Sequence, residues 1–388
     1  MKKGLIIFSL ATLCVTSQAQ EGWTLRQCID YAIEHNIEIQ QTANEAEQNA
    51  IEVNTAKWAR LPNLSGSAGQ NWSWGRSQSP KDNTYSDVNS GSTQFGLNTN
   101  VPLFTGLQLP NQYALSKLNL KAAIEDLNKA KEDIAINVTS SYLQVLFNME
   151  LSKVAASQTE LSKEQCKRII RLAEVGKASS AEVAEAKARV AQDEMSLVQA
   201  ENNYQLALLD LSQLLELPTP EGFTLAQPDT VVNFVPLTAP DDIYTEALSN
   251  KPGIRAAQFR LEGSEKSIRI AQSNYYPQLS FGASIGTNFY TLNGSAEHSF
   301  GSQLKNNLNK GIGFNLSVPL FNRLATRNRV RSARLQQTNL ALQLDNTKKV
   351  LYKEIQQAWY NAVAAESKFN SSMAAVTANE ESFRLMSE

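Results

Sequence analysis

The sequence predicts a mainly α-helical protein with a small β part, built from a helix–strand–strand–long-helix unit that occurs twice. Three observations predict it. The phrase Val-Pro-Leu-Phe stands at Val101, Pro102, Leu103 and Phe104 and again at Val318, Pro319, Leu320 and Phe321, 217 residues apart (318 − 101). Each copy closes a stretch of alternating, strand-like character. Each is then followed by a very long helical run. A period of this size is a duplicated half-molecule, too long for a solenoid unit.

Taken in order, residues 1–19 read as a secretory signal peptide. They carry the basic Met1-Lys2-Lys3, an apolar run from Leu5 to Val15 and a small-x-small site at Ser17-Gln18-Ala19. The first structural repeat is expected over 20–218. Thr24 is placed to cap a helix whose one face holds Leu25, Cys28, Ile29, Ala32 and Ile33. His35-Asn36 interrupts that helix, and Pro62 ends its continuation because proline biases the preceding residue away from helix. Strands are expected over about 63–76 and 93–102, joined by a polar loop from Ser77 to Ser92.

A helical hairpin is expected over 105–216. Its first arm has no strong breaker between Pro110 and Gly176, and at 1.5 Å per residue it is roughly 100 Å long, more than a globular core needs. Its second arm opens with a capping-box pair, Ser179 and Glu182, and carries the heptad row Val183, Val190, Leu197, Tyr204 and Leu211. A Pro- and Thr-rich linker, 219–240, leads to the second repeat, 241–388. There the order recurs: a breaker at Asn250-Lys251-Pro252-Gly253, then Pro277, 215 residues after Pro62 (277 − 62). Strands are expected over about 278–290 and 311–319, with a polar loop from Asn293 to Lys310 between them. The long helix that follows reaches the counterpart of Arg168 at Arg384, so the expectation is a C-terminal end truncated before a second hairpin, with roughly 45 residues of repeat missing.

A formal net charge of −2 with no basic tract gives no reason to expect nucleic acid. His35 and His298 stand alone, without metal partners at ligand spacing. No phosphate loop, nucleophile elbow or zincin motif occurs, so no catalytic, cofactor-binding or metal residues are assigned and the protein reads as no enzyme. Cys28 and Cys166 read as two separate small hydrophobes. Arg323, Arg327, Arg329, Arg331 and Arg334 cluster after the second Val-Pro-Leu-Phe; they read as a solvated helix face or as an attraction to anionic groups near a membrane surface.

No segment is long and apolar enough for a transmembrane helix, so entry into a membrane must use strands. The four alternating stretches are about the 9–11 residues that a membrane strand needs. An open four-stranded sheet in lipid would leave unpaired edges, so several chains would have to share one barrel. Trp72, Trp74, Tyr275 and Tyr276 lie beside the strands and suit interfacial girdles. The competing reading makes them core aromatics of a soluble sandwich.

This order of elements resembles the TolC-like outer-membrane efflux family over essentially the whole mature chain. Val175-Gly176 stands where the family has its Val-Gly pair, followed at the family's spacing by Glu182-Val183 and Ala186-Lys187; Lys177 departs from the aliphatic residue often found after that glycine. The resemblance implies a homotrimer whose strands build a 12-stranded β-barrel in outer-membrane lipid of a Gram-negative bacterium, above an α-helical periplasmic tunnel. It implies a passive export duct in tripartite efflux or type I secretion. The hairpin tip, Val175, Gly176, Lys177, Ala178 and Ser179, would meet a periplasmic adaptor (membrane fusion protein) linked to an inner-membrane transporter. The alternative is a non-channel periplasmic or surface coiled-coil structural protein with its strands in a soluble head.

Overall fold

The structure, a computed structural model, describes residues 22–78, 83–87, 89–219, 222–226, 234–296 and 298–387. The signal peptide expected over 1–19 lies outside the described residues, as do parts of the first polar loop and of the linker. In chain order the elements are α1 (Leu25–His35), α2 (Ile37–Trp58), β1 (Asn63–Ser73), β2 (Arg76–Gln78), β3 (Tyr85–Asp87), β4 (Ser90–Phe104) and α3 (Gln108–Glu174). They continue with α4 (Ser180–Leu214), α5 (Pro240–Asn250), α6 (Pro252–Ser273), β5 (Gln278–Leu292), α7 (Phe300–Asn306), β6 (Asn309–Ser317) and α8 (Ala325–Ser387). They form two compact units, Met1–Thr42 with Leu127–Val235, and Ala43–Asp126 with Pro236–Glu388.

The first unit is helical. Thr24 and Gln27 form a reciprocal capping box at the start of α1. At the break before α2, the Asn36 side-chain oxygen accepts from the backbone N–H of Glu38 at 2.9 Å and of Ile39 at 3.3 Å, while its amide donates to the Leu214 carbonyl at the end of α4. The polar residue that interrupts the helix is therefore its cap and its tie to a neighbour. Cys28, Val138, Val145, Leu211 and Leu215 form the fully buried centre of this unit. Tyr142 reaches through it with its hydroxyl 2.8 Å from the Ala226 carbonyl and 3.1 Å from that of Trp23. Trp23 also bridges Leu225 in parallel, so the strand-like ends of the linker and of the N-terminal segment are pinned together.

The second unit holds one antiparallel four-stranded sheet of order β1-β4-β5-β6 and a small β2–β3 ribbon. Beside the sheet, α6 packs against the first turns of α3. Gly263 allows the approach: a Cβ there would lie 3.1 Å from Leu115 and 3.9 Å from the Leu118 Cβ. Arg255 pairs with Glu125 at 2.8 Å and Arg260 pairs with Asp126 along the same seam.

Several boundaries differ from the sequence-based expectation. The first strand closes at Ser73 rather than near residue 76, because Gly75 turns the chain at φ +109 into the separate β2–β3 ribbon. The second is longer at both ends, Ser90–Phe104: β1 and β5 both pair with its start, and β5 alone carries it past Pro102. The last ends at Ser317 rather than near residue 319, because its partner begins at Gln278, opposite Ser317. The expected loop from Asn293 to Lys310 instead contains a tight Asn293-Gly294 turn, both residues at positive φ, then α7 and the start of β6. Here β6 covers only part of β5, and α7 takes over the remaining edge. The buried Gln303 amide accepts from the Tyr290 N–H at 3.0 Å and donates to the Tyr290 carbonyl at 3.1 Å, as a neighbouring strand's backbone would.

Burial pushes the Cys28 thiol up to about 11. A thiol titrating there is thiolate to only about one part in a thousand at pH 8, and the thiolate is the reactive form. Maleimide labelling at pH 8 followed by mass spectrometry should therefore leave Cys28 unmodified in the folded protein and modify it rapidly in denaturant. Fast labelling without denaturant would contradict this packing.

Candidate functional site

The sheet has two chemically opposite faces. Strand side chains alternate, and the observed register aligns them across all four strands. The row Leu64, Thr99, Ala283, Ile312 and the next row, Gly66, Leu97, Ile285, Lys310, share one face. Phe95, Phe281, Phe314 and Leu316 join them, with the Phe281 and Phe314 rings 5.3 Å apart. The other face is Ser, Asn, Gly and Gln: Ser65, Ser67, Asn98, Asn100, Ser284 and Asn315 are typical. The apolar face is bare: Leu64 is 76 % exposed and Ile312 82 %. A contiguous apolar surface of this kind demands a cover. Neither β1 nor β6 has a further partner strand among the described residues, so both sheet edges carry unpaired backbone groups.

The aromatic residues singled out in the sequence bracket this face. Trp72 pairs with Gly91 at one end of the sheet, and Trp74 follows it. Tyr275 and Tyr276 lie in the turn from α6 into β5 at the other end. All four are exposed. Eleven strand residues at about 3.4 Å each, tilted as in a barrel, cover roughly 25–30 Å of height, the thickness of a bilayer's apolar band.

The two Val-Pro-Leu-Phe phrases occupy corresponding places with different hydrogen bonding. In the first, Val101, Pro102, Leu103 and Phe104 are still strand, with a bulge between Pro102 and Phe104. Pairing with β1 has already stopped at Asn100, so only one flank is paired there. In the second, Val318, Pro319, Leu320 and Phe321 lie beyond the end of β6, and Leu320 and Phe321 are highly exposed. Both then turn through two left-handed residues into the long helix: Gly106 and Leu107 (φ 62 and 66) before α3, Arg323 and Leu324 (φ 55 and 63) before α8. Three of these four are not glycine, a backbone state that costs about 1 kcal/mol or more each. The same turn is thus built twice, at the same 217-residue offset (323 − 106). Gly106 is obligatory for space as well, since a Cβ there would lie 2.6 Å from the Ser273 carbonyl oxygen.

At the turn between α3 and α4, Gly176 has φ +72 and the geometry is a Schellman close. Lys177 N–H donates to the Leu172 carbonyl at 2.8 Å and Gly176 N–H to that of Ala173 at 3.0 Å. Ser179 then caps α4, and its backbone N–H donates to the Glu182 carboxylate, which holds that carboxyl below the usual range. Val175, Gly176, Lys177 and Ser179 are exposed and Ala178 is half-buried. The tip is thus a hydrogen-bonded, solvent-facing knob.

Sequence reasoning missed Gln303 and α7; the Asn293-Gly294 pair was the available turn signal. Among the described residues no cluster of His, Cys, Asp and Glu could hold a metal ion, and no helix is long and apolar enough to cross a membrane.

Comparison with known proteins follows the same lines. The family model described as outer membrane efflux protein matches residues 28–216 and 243–388. The chain is 23 % identical to Outer membrane protein TolC of Escherichia coli, covering 100 % of this chain and 77 % of that protein. It is 26 % identical to Pyoverdine export outer membrane protein OpmQ of Pseudomonas aeruginosa over 61 % of this chain and 47 % of that one. Among solved structures, outer membrane protein VceC of Vibrio cholerae has the same fold, with a TM-score of 0.75 at 19 % identity over 92 % of this chain and 83 % of that chain. The outer-membrane channel OprN gives a TM-score of 0.70 at 22 % identity, covering 85 % of this chain and 72 % of that chain.

The two glycines differ in a measurable way. Gly176→Ala meets no atom within 4 Å and should cost only the left-handed backbone, about 1 kcal/mol. Gly106→Ala adds a clash with the Ser273 carbonyl and should cost clearly more. Thermal melts of the two variants in detergent give the order; equal losses would contradict it.

Proposed function

Because the chain belongs to the outer membrane efflux protein family, we propose that three copies of it form an outer-membrane channel, a passive export duct of a tripartite efflux or type I secretion system. One observation carries this reading: a sheet with one bare apolar face, one face of Ser, Asn, Gly and Gln, and two unpaired edges. In lipid every backbone N–H and C=O must find a partner, so such a sheet is viable only as part of a closed barrel. Four strands are too few to close, and three copies supply twelve. Leu64, Leu97, Ile285 and Phe314 then face lipid, the Ser and Asn face lines a wet lumen, and Trp72, Trp74, Tyr275 and Tyr276 sit at the two interfaces.

The helices continue the duct into the periplasm. Val101 to Phe104 and Val318 to Phe321 mark where each membrane strand hands over to a tunnel helix. The tip formed by Val175, Gly176, Lys177, Ala178 and Ser179 docks a periplasmic adaptor, which couples the duct to an inner-membrane transporter. The chain itself performs no catalysis; its residues select and conduct, and the transporter supplies the energy. The domain plan follows: a signal peptide over 1–19, one repeat over 20–218, a linker over 219–240 and a second repeat over 241–388.

Purified in detergent, the protein should run as a trimer by light scattering and give single-channel conductance in planar bilayers. Ile312→Lys places a charge on the lipid face and should reduce assembled trimer strongly, since a lysine near the bilayer midplane costs about 2–4 kcal/mol per copy. Asn98→Lys lies on the lumen face and should leave the trimer intact while shifting ion selectivity toward anions. A mature protein that stays monomeric in water and conducts nothing would overturn the reading.

A further inference from the structure

We propose that the outward surface of the long helices, just below the sheet, binds anionic phospholipid: Arg327, Arg331 and Arg334 of α8, with Lys117 and Lys121 of α3, hold headgroup phosphates of the periplasmic leaflet. The inference rests on the channel reading, which makes the Ser and Asn face of the sheet the lumen side. It gives a ligand to cations that the channel reading leaves unused. All five residues belong to the second unit.

Handedness settles which way they point. Tyr290 turns its side chain to the polar face of β5, and its N–H and C=O to Gln303 on the β6 flank. For an L-residue in a strand rising from α6, this puts β6 to the right of β5 as seen from the lumen. Seen from the end of the barrel away from the helices, β4, β5 and β6 then follow one another clockwise, and so do α3, α6 and α8 below them.

A right-handed helix descending from that end moves each successive side chain about 100° clockwise. Along α8, Thr326 and Val330 are buried and Ala333 is half-buried, a stripe turned toward α6, its anticlockwise neighbour. The residue after each of these is Arg327, Arg331 or Arg334, so all three point outward, away from the lumen, and all three are exposed. On α3 the sense reverses, because α6 is its clockwise neighbour. Leu118 stands against Gly263 of α6, and Ala122 is buried one turn on. The residues just before them, Lys117 and Lys121, therefore also point outward, and both are exposed. Arg329, one residue before Val330, falls on the lumen side of α8.

Nothing nearby neutralises these cations. From Gln108 to Ile124, α3 has no Asp or Glu, and α8 has none from Ala325 to Leu344. Among the described residues no ion pair engages Arg327, Arg331 or Arg334. Lys117 and Lys121 lie over the Tyr113 and Phe259 rings. The scaffold does not demand the arginines either: at the 217-residue offset, Arg327 and Arg331 stand where the first repeat has Pro110 and Ala114. Arg334 corresponds to Lys117 (334 − 117 = 217), so both repeats keep one cation at the same height.

The cations begin where the apolar surface stops. Leu320 is 92 % exposed and Phe321 80 %, and Tyr275 and Tyr276 are exposed at the same end of the sheet. At 1.5 Å per residue, Arg327, Arg331 and Arg334 lie about 4, 10 and 15 Å below Leu324. Helix side chains lean toward the N-terminus, here toward the membrane, and a long arginine stem carries its guanidinium further up. The headgroup layer, roughly 5–8 Å thick on each side of a bilayer, is within that reach. Arg327 and Arg331 are one turn apart on one stripe, so two forked guanidiniums can share a phosphodiester. Guanidinium stays charged and matches phosphate geometry, which favours this ligand over a zwitterionic surface.

The test uses the full chain as a conducting trimer in detergent, titrated with phosphatidylglycerol or phosphatidylcholine and read by native mass spectrometry. Phosphatidylglycerol should bind at least about tenfold more tightly, a preference that high salt removes. Arg331→Gln should weaken phosphatidylglycerol about fivefold and leave phosphatidylcholine unchanged. Lys117→Gln should act in the same direction from the other repeat, and Arg329→Gln should change neither lipid. Equal binding of the two lipids, or equal effects of Arg329→Gln and Arg331→Gln, would overturn the proposal and leave the channel reading intact. Displacement of the lipid by excess inorganic phosphate would mark a free-anion site and overturn it too. Loss of the trimer in Arg331→Gln and Lys117→Gln would assign these cations to a second copy instead. A monomer without conductance would overturn both readings.

Discussion

An unpaired sheet edge governs this molecule. The sheet places apolar side chains on a bare face and leaves backbone groups open along β1 and β6. Water could satisfy those groups but would not tolerate so broad an apolar face. Lipid accepts the face but not the edges. Closure with further copies, as proposed above, would answer both demands at once.

In the channel proposed above, the duplication would let one chain contribute two like segments to a closed ring. Each repeat makes the same turn out of its strand, through two left-handed residues, although only one of the four is glycine. Backbone strain kept at both copies, with unlike side chains, points to a turn that the architecture requires. The repeats then diverge where their surroundings differ. The first repeat's strand is flanked on both sides and runs through its proline; the second's lies at an edge and ends before it. Likewise, α7 and Gln303 replace the upper half of β6, protecting an edge that a second strand covers in the first repeat.

Much of this was legible in the chain. Capping residues Thr24, Ser179 and Glu182 announce helix starts because their side chains bond local backbone, a contact that needs no tertiary partner. Gly176 announces the hairpin tip because its left-handed φ is local too. Gln303 was not legible, since a glutamine in a polar stretch gives no sign that a strand's edge will be its partner. Nor was the length of β4, which pairing with β5 alone extends beyond the sequence's own proline signal.

The sequence by itself determined the duplication, the helices and their caps, and the alternation that gives each strand one apolar side. These follow from local backbone preference and from periodicity, both of which are written along the chain. Only the tertiary structure decided that all four apolar sides fall on one face, that the edges stay open, and that α2 and α8 keep exposed apolar residues such as Ile51, Trp58, Leu335 and Leu342. Those depend on register and on which surfaces are already covered, and register is a relation between segments some two hundred residues apart.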